Sequence, residues 1–310
     1  MRRTGLVLAA AAALTANVTL ARADEKPPYP AITDVSHAST AVAERFRGFF
    51  TAKSRHQPAA LMTYFAKDKV LYIDAASGGI WPNWDSLNKI FTTYMPKWPP
   101  AGLSYPTRIL GDAHSALVAF TDTPELFGKE LRILGAVSFD ADGKIVRWMD
   151  YWDGRSSQRV TAPLKPTYPT DFHDDVGNAG GKIADIAKRL DSAFAAGDAK
   201  TAAALFSYDA VYEDMALHAQ ILGRLAIERY LARALGAVPY GKGAALAHVV
   251  GGDQGGGYEW RAAAAFPIRR GNTALELDAD GKIARLTAVY DSGLLPDAQY
   301  HAMVDLSAEH

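Results

Sequence analysis

Apolar residues recur every three or four positions, the spacing of a helix face, in two corresponding parts of the chain. The first helix predicted in each part carries four apolar residues on one stripe: Val42, Phe46, Phe49 and Phe50, and then Ile183, Ile186, Leu190 and Phe194. A short second helix follows, around residues 58–64 and again around 201–206. A short strand comes next, and then a third helix. Each part therefore begins with the order helix, helix, strand, helix.

Alternating apolar and polar residues after the third helix predict a run of strands in each part, and the last two strands are joined by the same turn. Residues 139–147 align without gaps on residues 277–285, and both contain Asp-Ala-Asp-Gly-Lys-Ile. Asp and Gly provide the backbone geometry of a tight hairpin turn. Two such turns, each after the same series of elements, indicate an internal duplication.

The duplication predicts two tandem α+β domains in which helices cover one side of a bent antiparallel sheet. We expect domain one at residues 36–155, a linker rich in Pro, Gly, Ser and Thr at 156–180, domain two at 180–293 and a C-terminal tail at 294–310. A bent sheet closed by helices encloses a conical cavity, which is where a small molecule would bind.

The first 23 residues have the pattern of a secretory signal peptide. Met1-Arg2-Arg3 is followed by an apolar stretch from Leu6 to Leu14, and Ala21-Arg22-Ala23 precedes a polar run. The apolar stretch is well short of the ~20 residues that span a bilayer. A charged start, a short apolar segment and an Ala-x-Ala site are typical of a cleaved leader. We expect cleavage after Ala23 and a periplasmic or secreted protein, with the export route left open.

The composition narrows the range of partners. The chain has no Cys, which excludes disulfides, thiolate nucleophiles and Cys-ligated metals. Without the three arginines of the leader, 30 basic residues face 34 acidic ones, with no dense basic stripe, so nucleic acid is not expected as a partner. No later stretch is long enough to insert in a membrane, and no metal-ligand spacing such as His-Glu-x-x-His occurs. We predict no cofactor and no metal.

Two glycine runs, residues 251–252 and 255–257, look like phosphate-binding loops at first sight. They precede a strand and not the N-terminus of a helix, which is where a phosphate would be bound. We therefore predict a flexible hairpin loop.

The last strand of domain one carries a candidate acid–base group. Side chains alternate along a strand, so Trp148, Asp150 and Trp152 share one face. A carboxyl group between two Trp side chains in an interior loses solvation, which raises its pKa toward neutrality. Such a group suits general acid or base catalysis near pH 7. Tyr72 and Asp74 likewise share a face of another strand and could point into the same cavity.

The same residues also fit a structural interpretation, in which Asp150 pairs with Arg132 or Arg147 and the Trp residues pack the core. Five of the six Trp residues lie in domain one. Trp81, Trp84 and Trp98 are among them, and they either line an aromatic or terpenoid pocket or simply fill space.

A resemblance to a known family rests on residues 205–214, Leu-Phe-Ser-Tyr-Asp-Ala-Val-Tyr-Glu-Asp, and residues 222–231, Leu-Gly-Arg-Leu-Ala-Ile-Glu-Arg-Tyr-Leu. These segments resemble the nuclear transport factor 2-like superfamily, and within it SnoaL-like polyketide cyclases and ketosteroid isomerases. Residues 148–153, Trp-Met-Asp-Tyr-Trp-Asp, resemble the ending of limonene epoxide hydrolases of the same superfamily. The resemblance covers nearly all of the mature chain and implies two cone-shaped, cystatin-like α+β-barrel domains. It is specific for the fold and not for the reaction, because one fold hosts isomerases, cyclases, hydrolases and binding domains.

The likeness to the isomerases places Asp214, and in domain one Asp74, at the position of the general base. The oxyanion-hole residues of those enzymes are not matched in domain two, where Leu190 stands in place of the Tyr and Thr273 in place of the acid. The resemblance therefore gives domain two an incomplete isomerase site. The candidate second pocket contains Asp214, Tyr212 and His218.

The likeness to the epoxide hydrolases favours domain one. Tyr72 and Asp74 stand where those enzymes hold the attacking water, and Asp150 stands where they activate it. Asp122 matches a second Asp, but Phe120 stands in place of the Arg that accompanies it, so the end of the site that binds the substrate oxygen is incomplete. In domain two, Ala288 is opposite Asp150, which argues against this chemistry there.

The predicted catalytic residues are Asp150, Asp74, Tyr72 and Asp122, and the predicted substrate-binding residues are Trp148, Trp152, Trp81 and Phe120. Two functions remain open. The first is a cofactor-independent acid–base enzyme of the hydrolase, isomerase or cyclase type that acts on a small apolar or aromatic molecule in domain one. The second is a non-catalytic periplasmic module that binds a small molecule or a partner. Single-domain relatives pair through the open faces of their sheets, so we expect the two domains to pack as an internal pseudo-dimer.

Overall fold

The computed structural model describes residues 26–155 and 177–308. The predicted signal peptide and most of the predicted linker lie outside the described residues. Domain one contains β1 (Asp34–Ala38), α1 (Thr40–Ser54), α2 (Pro58–Met62), β2 (Leu71–Asp74), β3 (Gly79–Trp81), α3 (Trp84–Tyr94), β4 (Ser104–Gly111), β5 (Ser115–Asp122), α4 (Pro124–Phe127), β6 (Leu131–Phe139) and β7 (Ile145–Trp152).

Domain two repeats this series. It contains α5 (Gly181–Ala196), α6 (Ala199–Ala203), β8 (Phe206–Asp214), β9 (Ala219–Leu222), α7 (Arg224–Ala234), β10 (Ala245–Gly252), β11 (Gly255–Arg261), β12 (Arg270–Leu277) and β13 (Ile283–Val289). The segment assigned as a C-terminal tail contains α8 (Asp297–Asp305), which buries Met303 in the core of domain two. The predicted fold class, α+β with two tandem domains, is confirmed. In the described parts of the chain, no helix combines the length and the apolar character needed to cross a membrane.

The two sheets have matching strand orders. Among the described residues, the order is β1-β4-β5-β6-β7-β2-β3 in domain one and β10-β11-β12-β13-β8-β9 in domain two. β2 lies parallel to β7, and β8 lies parallel to β13. The sheets are therefore mixed, whereas the sequence predicted antiparallel ones. In each domain the first strand after the helices returns beside the last strand of the antiparallel run, and such a parallel neighbour requires a long crossover.

The repeated Asp-Ala-Asp-Gly-Lys turn has the same backbone conformation and the same lysine contact in both domains. The glycine of each Asp-Ala-Asp-Gly-Lys turn has a φ of +74°, a left-handed conformation that favours glycine. The ammonium group of Lys144 donates to the carbonyl of Thr63 at 2.7 Å, and that of Lys282 donates to the carbonyl of Ala204 at 2.8 Å. Each lysine thus ties the hairpin turn to the end of the second helix.

The first helix of each domain packs its apolar stripe into the core under the sheet. α1 begins at Ser39, whose side chain accepts a hydrogen bond from the amide of Val42, and α5 ends at Gly197 in the left-handed conformation. The apolar stripes predicted for α1 and α5 are buried in the two cores. These helices therefore hold the concave faces of the sheets, on which the candidate site residues lie.

The other faces of the two sheets contact each other. A third apolar cluster contains Ile73, Leu110, Leu117, Leu134, Ala136, Met149 and Tyr151 of domain one together with Val250, Ala274 and Val289 of domain two. Arg147 and Glu259 form an ion pair across this contact and are both fully buried. The hydroxyl of Tyr151 also donates to Glu259, at 2.6 Å.

The glycine runs of domain two lie inside this contact. Gly251, Gly252 and residues 255–257 are buried in the β10–β11 hairpin. A Cβ atom on Gly257 would be 2.5 Å from Leu117 Cδ1, so a side chain there would separate the two sheets. The segment is a hairpin, as predicted, but the prediction of a flexible loop is wrong. Its glycines are buried and allow the two sheets to approach each other closely.

Candidate functional site

Strand β7 presents different chemistry on its two faces, as the alternation predicted. Trp148 packs in the core of domain one, whereas Met149 and Tyr151 pack in the cluster between the sheets. Asp150 therefore lies on the concave face of domain one and is only 5% exposed. The described geometry places the predicted acid–base group in the interior.

Asp150 is held by two donors. The Tyr72 hydroxyl donates a short hydrogen bond to Oδ2, and the indole nitrogen of Trp148 donates to Oδ1 at 2.5 Å. Tyr72 reaches this position because β2 is parallel to β7 and pairs Tyr72 with Trp148. Both bonds stabilise the carboxylate, since a hydrogen bond to an ionised acceptor is stronger than one to a neutral acceptor.

A glycine on the neighbouring strand makes room for the carboxyl group. Gly135 pairs with Asp150 across β6 and β7. A Cβ atom there would be 3.1 Å from Asp150 Oδ1 and 3.1 Å from the indole nitrogen of Trp148. Any larger residue would therefore push the carboxyl group away from its donors.

Burial raises the pKa of Asp150 from 3.8 to about 7, against the opposing effects of the Tyr72 hydrogen bond and the charge of Lys53. A carboxyl group with this pKa exchanges a proton readily near neutral pH and can serve as acid or base. The pKa of Tyr72 is raised well above 10, first by burial and then by Asp150. Tyr72 therefore stays protonated and acts as a donor.

Asp74 lies beside Asp150 in the parallel register of β2 and β7. Its Oδ1 accepts hydrogen bonds from the amides of Ala76 and Ser77, at 3.1 and 2.9 Å, and from the indole nitrogen of Trp152, at 2.9 Å. Burial raises the pKa of Asp74 against these bonds. The carboxyl group thus holds the turn after β2 and the ring of Trp152 in place.

Lys53 is a site residue that sequence analysis missed. It lies in the last turn of α1, where its ammonium group is 3.2 Å from Asp122 Oδ1 and 4.7 Å from the centre of the Phe120 ring. The Lys53 and Asp122 side chains are 9% and 7% exposed. A helix therefore brings a buried cation next to the Phe120 ring. Lys53 continues the apolar stripe of α1 at helical spacing, and a lysine on a buried stripe was the available signal.

The arginines considered as partners of Asp150 lie elsewhere. Arg147 is on the opposite face of β7 and pairs with Glu259, while Arg132 is exposed and pairs with Glu130 at 2.8 Å. The structural interpretation that either arginine neutralises Asp150 therefore has no support in these contacts.

Aromatic side chains surround the carboxyl group. Trp148 is 1% exposed and stacks between Phe49, with ring centres 4.8 Å apart, and Tyr72, at 5.9 Å. Phe120 is also buried and packs on Trp148, so these two predicted substrate-binding residues lie in the aromatic core beside Asp150. Trp81 and Trp152 are half-buried, and Trp81 packs on Tyr72 at 5.6 Å. Trp84 and Trp98 are half-buried as well.

Domain two contains a comparable carboxyl group in a different environment. Asp214 is fully buried and accepts hydrogen bonds from the amides of Ala216 and Leu217, both at 3.0 Å, as Asp74 does in domain one. The Tyr240 hydroxyl donates to its other oxygen at 2.7 Å, and the Tyr212 hydroxyl donates to Tyr240 at 2.6 Å. Burial raises the pKa of Asp214 to about 6.

No second carboxyl group faces Asp214 from the neighbouring strand. The register pairs Asp214 with Ala288, where domain one pairs Asp74 with Asp150. Leu190 and Thr273 stand where the resemblance places the oxyanion-hole residues of the isomerases. Leu190 is fully buried, and Thr273 accepts a hydrogen bond from the indole of Trp260 at 3.1 Å. Among the two domains described, only domain one therefore has the paired carboxyl groups.

His218 does not lie near the interior of domain two. It is exposed in the β8–β9 turn with a φ of +53° and lines a cavity between the domains. Across residues 26–155 and 177–308, no three His, Asp or Glu side chains are grouped so that they could hold a metal ion.

Comparisons with known proteins find similarity in structure alone. No protein-family model matches the sequence, and neither does any curated protein. A protein of unknown function with a cystatin-like fold from Methylobium petroleophilum PM1 is 16% identical, with 41% of this chain and 86% of that chain covered and a TM-score of 0.33. A SnoaL-like protein of unknown function from Burkholderia thailandensis E264 is 14% identical, with coverages of 37% and 98% and a TM-score of 0.33.

A steroid delta-isomerase from Pseudomonas aeruginosa is 16% identical, with 36% of this chain and 80% of that chain covered and a TM-score of 0.29. These similar structures carry the fold names that the sequence resemblance implied. At identities of 14–16% the similarity extends to the fold alone, so any chemistry of this chain has to be argued from its own residues.

The site as a whole consists of an acid–base carboxyl group and a nearby ion pair in an apolar enclosure. Asp150 can take up or release a proton, Tyr72 can donate a hydrogen bond, and Asp122 holds the positively charged ammonium group of Lys53 in place. Such preorganised groups can stabilise charge that develops on a bound molecule.

Proposed function

We propose that this protein is a cofactor-independent acid–base enzyme that uses Asp150 to transfer a proton to or from a small apolar or aromatic molecule in domain one. The observation that carries the proposal is a buried carboxyl group that accepts hydrogen bonds from Tyr72 and Trp148 among aromatic rings. Burial raises the pKa of this group to about 7. Hydrolysis, isomerisation and cyclisation all begin with such a transfer.

The other groups have separate roles in this proposal. Tyr72 and Trp148 fix the orientation of the Asp150 carboxylate, and their hydrogen bonds limit the rise of its pKa to about 7. The Lys53 ammonium, which lowers the pKa of Asp150, compensates negative charge that forms on the substrate. Asp74 positions Trp152 and the turn after β2 through its hydrogen bonds.

Domain two has a structural role in this proposal, as the partner half of an internal pseudo-dimer. It has Ala288 at the position of Asp150, and Tyr212, Tyr240 and Tyr290 fill its interior. The sheet-to-sheet contact and the buried Arg147–Glu259 ion pair support this arrangement. An internal pseudo-dimer predicts either a monomer or a dimer of pseudo-dimers. Light scattering of the mature protein distinguishes them, and twice the mass of one chain would reject the monomer.

From the predicted signal peptide we propose a periplasmic or secreted protein. Expression of the full chain in a Gram-negative host, followed by osmotic release and mass spectrometry, tests this location. A periplasmic protein that begins at Asp24 is the expected result, and an uncleaved cytoplasmic protein would contradict it.

The experiment that tests the activity pairs a substrate screen with a conservative variant. The mature protein is incubated with apolar ketones, epoxides and aromatic compounds, and products are followed by mass spectrometry. Asp150→Asn should retain binding and lose turnover by at least about a hundredfold, because an amide cannot exchange the proton. Asp142→Asn, in the exposed turn before β7, is the matched control and should remain active.

A second candidate function is a non-catalytic binding module, favoured by Phe120, which stands where the resemblance places an Arg. Binding without turnover for every compound, with the same affinity in Asp150→Asn, would establish this alternative. Turnover that persists in Asp150→Asn would contradict the role of that residue.

A further inference from the structure

A cavity of about 520 Å³ lies between the two domains. Domain one lines it with the start of β6 and the end of β7, and domain two lines it with the β8–β9 turn. Its volume is in the range that holds a small ligand. The side chains that line it include Leu131, Trp152, Met215, His218 and Gln220.

Two side chains connect this cavity to the Asp150 site. Leu131 and Trp152 line the cavity and also pack against the aromatic core of domain one, and both are half-buried. Trp152 lies on the same face of β7 as Asp150, two residues further on, which is about 7 Å along a strand. The cavity therefore adjoins the concave interior at the rim of domain one.

We propose that this cavity is the outer part of the substrate site, so that the reacting end of the substrate lies at Asp150 and its distal end lies between the domains. The proposal rests on the proposed function for the Asp150 end. Domain two then contributes directly to substrate binding, through the turn that carries His218.

That turn is a fixed surface. The Asp214 carboxyl group accepts hydrogen bonds from the amides of Ala216 and Leu217, both at 3.0 Å. The backbone of His218 has a φ of +53°, the conformation that Gly78 has at the same place in domain one. Asp214 thus fixes the β8–β9 turn of domain two, which lines the cavity next to domain one.

The lining indicates an amphipathic substrate. Leu131, Trp152 and Met215 are apolar, whereas His218 and Gln220 offer hydrogen bonds. Among the acidic side chains of the lining, Asp153 and Asp214 accept hydrogen bonds from Ser292 and Tyr240. Glu130 is paired with Arg132 at 2.8 Å, and Glu213 is paired with Arg285 at 3.5 Å. A charged tail would have to separate these pairs, so an uncharged hydroxyl or amide group is the expected distal end.

A pair of probe compounds tests the proposal by binding, independently of turnover. Benzyl alcohol is the short probe, chosen to reach the inner end of the site alone. The long probe, 4-(4-hydroxybutyl)benzyl alcohol, adds a four-carbon tail that ends in a hydroxyl group. We expect the tailed compound to bind at least about tenfold more tightly in an NMR titration of the mature protein, since each buried methylene group favours binding.

The matched variants lie on one exposed face of β9. Gln220→Trp fills the cavity, whereas Leu222→Trp adds the same ring two residues further on, outside the cavity lining. Gln220→Trp should remove the tenfold advantage of the tail and leave the affinity for benzyl alcohol within about twofold. Leu222→Trp should leave both affinities unchanged, and thermal unfolding should show that both variants fold.

Equal affinity of the two compounds, or the same effect in both variants, would overturn the role of the cavity while leaving the inner site intact. If benzyl alcohol itself does not bind, the inner site is absent and the proposed function fails with this inference. If the tail effect is observed but no compound turns over, the cavity is a ligand site and the catalytic proposal is the one that fails.

Discussion

At the scale of single residues, the environment of Asp150 decides what the site can do. Two donors and a nearby ammonium group favour its ionised form, yet burial among aromatic rings outweighs them and raises the pKa to about 7. Gly135, opposite on β6, leaves room for this arrangement. The carboxyl group is therefore a source of instability in the fold whenever it is ionised.

This leads to a prediction on stability against pH. Below pH 3.8 Asp150 is protonated in both the folded and the unfolded chain, so its burial does not lower the free energy of unfolding. Between 3.8 and about 7 the unfolded chain releases the proton first, so this residue lowers stability as the pH rises. The loss reaches about 4 kcal/mol at most by the size of the shift.

Asp150→Asn should lack this loss, so its free energy of unfolding relative to the parent protein should rise between pH 4 and pH 8. Urea unfolding at the two pH values measures the difference. Asp142→Asn, exposed in the hairpin turn, should show no such change. Parallel stability curves for Asp150→Asn and the parent protein would show that Asp150 is ionised at little cost.

At the scale of the elements, α1 and β7 each join two functions. β7 carries the site on one face and the contact with domain two on the other. α1 packs its apolar stripe under the sheet and extends that stripe to Lys53, whose ammonium group meets Asp122 at the end of β5. A helix thereby delivers a buried positive charge to a site formed by strands.

A prediction for α1 concerns the removal of the Lys53 charge. Lys53→Met should raise the pKa of Asp150 above about 7, because the ammonium group lowers it in the parent protein. The limb of the pH–rate profile that Asp150 sets should therefore move to higher pH. The unpaired Asp122 carboxylate should cost about 3–5 kcal/mol of stability.

The double variant Lys53→Met with Asp122→Asn separates the two effects. It should recover most of the stability and keep the alkaline shift of the profile. An unchanged profile in both variants would mean that Lys53 acts only through the fold.

At the scale of the whole molecule, the two sheets enclose an ion pair that tertiary structure alone creates. Arg147 and Glu259 are 112 residues apart in sequence, come from different domains and meet only when the sheets pack. Burial opposes the ionisation of Glu259, but Arg147 and Arg270 outweigh it and lower its pKa. The pair is therefore charged at neutral pH.

Glu259→Gln should destabilise the chain by about 3–5 kcal/mol, because it leaves a buried guanidinium group without its carboxylate. Unfolding by urea measures the loss. Glu276→Gln, at the less buried edge of the same contact, is the comparison and should cost less. Equal losses would mean that burial of the pair has no special cost.

The sequence by itself determined the local elements and the faces of the strands. The 3.6-residue period identified α1 and α5, the alternation of β7 placed Asp150 with Trp148, and the repeated turn revealed the duplication, because these features depend on neighbours along the chain. It also singled out Asp150 and Tyr72, whose side chains the structure brings together.

Only the tertiary structure decided which distant groups meet. The pairing of Lys53 with Asp122, the parallel register of β2 and β7, and the burial of the glycine run against Leu117 arise from contacts between segments far apart in sequence. Arg132 and Arg147 were plausible partners of Asp150 by sequence, yet one lies at the surface and the other on the opposite face. Long-range packing sets the charge environment of a carboxyl group, and no local pattern encodes that environment.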